Sequence, residues 1–239
     1  PAKSKKTERP FQIVTSQSRT SVIQSSLFVK SIPQFTKLTR QLQCFRILSE
    51  TSPSRSEMFH KTVLSNGLRI LTDTTPQFSS VSIFIMVGAG SRYESIDLWG
   101  ASHFLEHMLF KGTLKYPTPK EISECIEGVG GTLNAATDRE STIYWCKVGS
   151  SFFRRGANLL ADMILNPLLD PAEMEKERGV VLEELNMVND SPDSKVDTLI
   201  DEILWPNQPM GREVAGSKES VRALSREALY TYMSRQYVP

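Results

Sequence analysis

Apolar and polar positions repeat with two different periods along this chain, and the periodic part begins near Met58. "KTVLSNGLRILTDT", Lys61 to Thr74, carries alternating apolar residues on both sides of Asn66-Gly67, a dipeptide suited to the positive-φ backbone of a hairpin turn. "SVSIFIMVGA", Ser80 to Ala89, is a β-branched run that predicts a central strand. "TLNAATDRESTIYWCKV", Thr132 to Val148, predicts a second strand pair turning near Asp138 and Arg139. Between and after these strands the period lengthens to that of a helix. "GASHFLEHMLFKG" reads as a helix closed by Gly112 at its C-cap. "TPKEISECIEGVGG" opens with Thr118 as N-cap, Pro119 at the first helical position and Glu121 completing a capping box, and ends at Gly128. "FFRRGANLLADMIL" and "PAEMEKERGVVLEELNMV" are amphipathic helices, the second started by Pro171, and further helical pieces run to Tyr237. Strands and helices mix without strict βαβ alternation, which predicts an α+β fold: a two-layer mixed sheet flanked by helices. No internal repeat interrupts the pattern.

Residues 1–57 lack these periods. They are rich in Ser, Thr, Gln, Lys and Arg, and such a stretch cannot bury enough apolar surface to offset its own ordering entropy. The expectation is a disordered basic leader over 1–57 and a folded unit over 58–239. The leader's arginines, serines and few acids fit an organelle transit peptide. A first residue that is Pro1, with Met58 at the start of the folded pattern, fits an upstream translated segment equally well. Compartment and organism stay open on those residues, with a bacterial cytoplasm or a mitochondrial matrix as the two expectations.

Charge is balanced over the whole chain, 28 basic against 27 acidic residues, so no electrostatic footprint for nucleic acid or an anionic membrane is present. Cys44, Cys125 and Cys146 form no CxxC pair, which argues against a disulfide framework or a thiolate zinc cluster. The apolar run around Val81 to Gly90 is about half the length of a membrane span.

The chain has 3 histidines. His103 and His107 stand four positions apart with Glu106 beside the second, so one helix face gathers all three. Two imidazoles at that spacing can hold zinc, and a carboxylate that does not bind the metal can take a proton from an activated water. The alternative is a pair of histidines satisfied by hydrogen bonds in an ordinary helix. A hydrolytic zinc site needs a third protein ligand and an open fourth position. On the helix from Pro171, the apolar residues Val181, Leu185 and Val188 define a buried face, with Glu177 and Glu184 on its flank and Glu183 on the opposite side. Glu184 is the candidate third ligand. Glu173, Glu175 and Glu183 suit a solvated charge stripe.

"HFLEHMLFKGT", followed by "GGTLNAATDREST" and "EKERGVVLEEL", resembles the pitrilysin or inverzincin family of zinc metallopeptidases, in the branch of mitochondrial processing peptidase and its bacterial relatives. The similarity runs from about Met58 to Pro239 and includes "PMGREVAGSKESV". The resemblance implies zinc bound by His103, His107 and Glu184, with Glu106 as general base for the attacking water. It implies that Glu177 supports catalysis from behind the ligands, orienting His107 or the water, and that a peptide substrate lies along the strand holding Asn134 and Ala135. It further implies two similar halves, in one chain or two subunits. Residues 58–239 correspond to the metal-bearing half, and a second homologous half or partner subunit would complete the enzyme. A non-catalytic family subunit with a structural or substrate-binding role is the alternative. A lyase that shares the inverted motif uses a cysteine as third ligand, but Cys125 and Cys146 lie on the wrong segments for that.

Overall fold

The computed structural model describes residues 12–17 and 59–239, and within them six strands form one mixed sheet. Strands β1 (Gln12–Gln17), β2 (Phe59–Val63), β3 (Arg69–Thr74), β4 (Ser80–Val87), β5 (Thr132–Thr137) and β6 (Thr142–Gly149) lie in the order β2-β3-β1-β4-β6-β5. Of these pairings, β1–β3 is parallel and the others are antiparallel. The β2–β3 hairpin turns where Asn66-Gly67 predicts it. Gly67 has φ 92° and donates to Leu64 O, while Asn66 Oδ1 accepts from Leu68 N.

Strand β1 corrects the sequence reading. The expected leader of residues 1–57 includes Gln12–Gln17, which is a strand inserted between β3 and β4. Ile13, Val14 and Thr15 are β-branched and favour a strand, but a six-residue segment gives too short a signal to stand out from its polar surroundings. The rest of the proposed leader lies outside the described residues.

Among the described residues there are seven α-helices, of which the first three pack on the sheet: α1 (Ala101–Leu109), α2 (Pro119–Glu127), α3 (Phe153–Leu165), α4 (Pro171–Asp190), α5 (Pro192–Leu204), α6 (Lys218–Ala223) and α7 (Arg226–Gln236). Alternate residues of β4 (Val81, Ile83, Ile85, Val87) and β6 (Tyr144, Cys146, Val148) are buried, and their core continues into Phe104, Leu105 and Met108 of α1 and Leu159, Leu160 and Met163 of α3. The mixed helix-and-sheet architecture expected from the sequence is therefore present. Helix α2 starts as predicted, with both halves of the Thr118–Glu121 capping box formed. Among the described residues, no helix is long and apolar enough to cross a membrane.

The end of α1 differs from expectation. Phe110, in right-handed helical conformation, is the C-cap, and Gly112 sits beyond it at φ 142°. A Cβ on Gly112 would meet Pro117 O at 2.7 Å, so the glycine serves the following turn rather than the helix end.

The start of α1 depends on a second close approach. Gly100, the N-cap, has φ 93°, and a Cβ there would meet Ala215 O at 2.7 Å. Gly216, at φ 94°, packs its backbone against the other side of this contact. Gly100→Ala is expected to lower unfolding stability by about 2 kcal/mol or more, through positive φ plus a clash with backbone that cannot swing away. Urea unfolding measures it, and a loss below about 0.5 kcal/mol would contradict this account of the helix start.

Candidate functional site

Helix α1 has no side-chain cap of its own, because its N-cap is glycine. The carboxylate of Glu94, only 4% exposed, supplies the cap instead, with Oε2 accepting from Gly100 N at 2.7 Å and Oε1 from Ser102 N at 2.7 Å. Burial pushes the Glu94 carboxyl above its ordinary value, against the pull of these donors and of the Arg212 charge. Arg212 also donates to Glu94 O and stacks over Trp99, whose Nε1 donates to Glu213 O. The segment "PMGREVAGS" thus clamps the first turn of α1. Deeper in the same turn, Ser102 Oγ meets Tyr232 OH of α7 at 2.8 Å.

So anchored, α1 turns His103 and His107 toward α4. Their rings meet edge to face with centroids 4.7 Å apart. Helix α4 is itself held by an Asp170 cap, and Arg178 donates to Val221 O and Leu224 O. Its buried side is Met174, Glu177, Val181 and Leu185, while Glu183 is exposed, as the helical period predicts. Glu184 Oε2 lies 3.7 Å from His103 Nε2 and 3.4 Å from His107 Nε2. Donor atoms of His103, His107 and Glu184 all fall within 4.8 Å of one another.

Those spacings suit zinc. Ligands about 2.0–2.1 Å from a tetrahedral ion are separated by roughly 3.3–3.5 Å, close to the distances between these nitrogens and the carboxylate oxygen. The donor set, two imidazoles and one carboxylate, is of the hydrolytic kind. Burial, and the charge of His107 after it, depress the His103 imidazole from 6.5 to about 4, which keeps it neutral, as a ligand must be. Glu184 is 40% exposed, so the cluster opens toward solvent on that side.

Two further acids flank the cluster. Glu177, 6% exposed, receives His107 Nδ1 at 3.0 Å through Oε2 and Lys111 Nζ at 2.7 Å through Oε1. Glu106 Oε2 accepts a 2.5 Å hydrogen bond from Thr137 Oγ1 at the end of β5. Burial raises the Glu106 carboxyl above the ordinary range, with Thr137 and His107 opposing the shift. Sequence reasoning found Glu106 and Glu177 but not Thr137, Lys111 or Glu94. Thr137 lies 31 positions from its partner, and no local period links the two.

Asn134 and Ala135 lie on β5, the terminal strand of the sheet, whose neighbour is β6. Asn134 is exposed, and its Oδ1 accepts from Ala135 N at 2.8 Å. The third histidine, His60, is exposed on β2 at the opposite edge of the sheet.

The His103 shift has a consequence for stability. The unfolded chain takes up this proton near 6.5 and the folded chain only at about 4, so between those values the unfolded state holds more protons. In the absence of metal, His103 is expected to remove on the order of a few kcal/mol of stability as pH falls through that window. Urea unfolding of the chain and of His103→Gln isolates the contribution, since Glu94 and Glu106 titrate in both. Equal pH slopes would refute it.

Residues 69–218 match the family described as "Insulinase (Peptidase family M16)". The chain is 39% identical over 191 residues to an uncharacterized zinc protease of Mycobacterium leprae, covering 80% of this chain and 43% of that protein. It is 36% identical to the "Probable mitochondrial-processing peptidase subunit beta, mitochondrial" of Arabidopsis thaliana, covering 74% of this chain and 33% of that one. Among solved structures it resembles pitrilysin, with TM-score 0.68 and 27% identity over 81% of this chain and 21% of pitrilysin. The chain thus spans less than half the length of each of these relatives.

Proposed function

The chain belongs to the M16 peptidase family, and from that premise we propose that it is the metal-bearing half of a zinc metalloendopeptidase that cuts extended peptides. The observation that carries this reading is the meeting of His103, His107 and Glu184 from two helices at ligand spacing, with Glu106 beside them. Bound there, zinc would supply Lewis acidity to a water molecule and to the scissile carbonyl.

The chain's own residues do the rest. Glu106 accepts the proton of the attacking water and returns it to the leaving amine. Thr137 occupies its Oε2, which leaves Oε1 as the oxygen that handles the proton. Glu177 fixes the ring of His107 from behind. The outer side of β5 accepts the peptide as an added strand, with Asn134 and Ala135 as its contact points and the Ala135 N–H as a main-chain donor once the Asn134 side chain releases it. A second homologous half, in the same polypeptide or a partner subunit, closes over that strand.

The test pairs the full chain with a homologous second half and assays a peptide library with and without chelator. Cleavage that stops on chelation and returns with zinc is expected. A folded, zinc-loaded assembly that cuts nothing would favour the non-catalytic subunit instead.

A further inference from the structure

We propose that Lys111 is a positioning residue for the metal centre: its ammonium locks the Glu177 carboxylate in the rotation that aims His107 Nε2 at the ion. The inference rests on the zinc-site reading above and assigns a role to a residue outside the ligand set.

A carboxylate at the end of a glutamate side chain rotates in a broad, roughly two-fold well, so a single hydrogen bond fixes it poorly. Glu177 has two anchors. Oε1 faces Lys111 Nζ at 2.7 Å and Oε2 faces His107 Nδ1 at 3.0 Å, so turning the carboxylate breaks both. Holding Nδ1 fixes the ring, and the ring's other nitrogen then points at Glu184 Oε2, 3.4 Å away. His103 has no such support, for its buried Nδ1 finds no hydrogen-bond partner among the described residues. Orientation of the imidazole pair is therefore carried mainly by the Lys111–Glu177–His107 chain.

Lys111 is placed to serve in this way by the backbone around it. Lys111 N donates to Met108 O, and in the next residue Gly112 O accepts from Leu168 N. Thr113 pairs with Pro167 and bonds Asp162 through its hydroxyl. These contacts tie the end of α1 to the segment that enters α4, which carries Glu177. The nearby cations of α4 are turned elsewhere: Lys176 to Glu173, and Arg178 to Glu175 and the carbonyls of Val221 and Leu224. Charge points the same way. Glu106, Glu177 and Glu184 around a dication leave one negative charge over, and the Lys111 ammonium matches it.

The test measures zinc affinity of the full chain by competition with a chromogenic chelator, and coordination geometry from the cobalt(II) absorption bands. Lys111→Met is expected to weaken zinc about 10- to 100-fold and to alter the cobalt spectrum, with Lys111→Arg recovering most of the loss. Because the variant strands a buried carboxylate, Lys111→Met/Glu177→Gln is compared with Glu177→Gln alone. A lysine that acts through Glu177 costs little further affinity there. Unaltered affinity and cobalt spectrum in Lys111→Met, or additive losses in the double variant, would overturn the role while leaving the zinc site standing. If the unaltered chain itself binds no zinc, the site reading fails first and this role with it.

Discussion

A chain carrying Glu184→Gln is expected to fold normally and to lose the proposed affinity for zinc. Among the described residues, this carboxylate is the anionic donor at ligand spacing to both imidazoles, 3.7 Å from one and 3.4 Å from the other. An uncharged amide of the same volume is a poor zinc ligand, so affinity should fall by more than the roughly 10- to 100-fold that loss of an outer partner brings. Folding should survive, because Glu184 is 40% exposed, Gln is a good helix former, and no cavity opens. Glu183→Gln, one residue earlier on the exposed face, is the control and should bind as the parent does. Metal analysis after gel filtration reads both. Zinc retained by Glu184→Gln would dismantle the proposed site. Cys146 is no substitute ligand, since it is buried in the sheet core with its thiol pushed up to about 12.

The second large effect separates binding from chemistry. Glu106→Gln should keep zinc near the parent affinity while peptide hydrolysis by the assembly with a second half falls about 10²- to 10⁴-fold, the usual contribution of a general base. Thr137 Oγ1 can still donate to the amide oxygen, so the side chain stays in place and only its ability to hold a proton is lost. Steady-state kinetics and metal content together decide it. A loss of zinc equal to that of Glu184→Gln would make Glu106 a ligand, and undiminished turnover would remove it from the reaction.

Features governed by short spacing could be read from the residues alone. The Thr118–Glu121 capping box, the Asn66-Gly67 turn and the side of α4 that carries Glu177 all follow from contacts within one or two turns of chain. The pairing of His103 with His107 is local in the same sense, whereas their meeting with Glu184 follows only from the need of such a site for a third ligand and from family likeness. What stayed hidden depends on distant chain segments. Lys111 looks like an ordinary cation at a helix end until α4 is brought beside it. Thr137 looks like a strand residue until β5 lies along α1. Strand β1 is set by the partners on its two sides more than by its own composition.

The cap supplied by Glu94 limits how far the histidine helix can travel. Its first turn is completed by a carboxylate from outside the helix and clamped by residues more than a hundred positions downstream. Grafted alone onto another scaffold, "GASHFLEHM" would expose unsatisfied amide groups at its start and fray where the imidazoles must be most rigid. A designer who wants this centre elsewhere has to transplant Glu94, Trp99 and the Arg212 loop together with it.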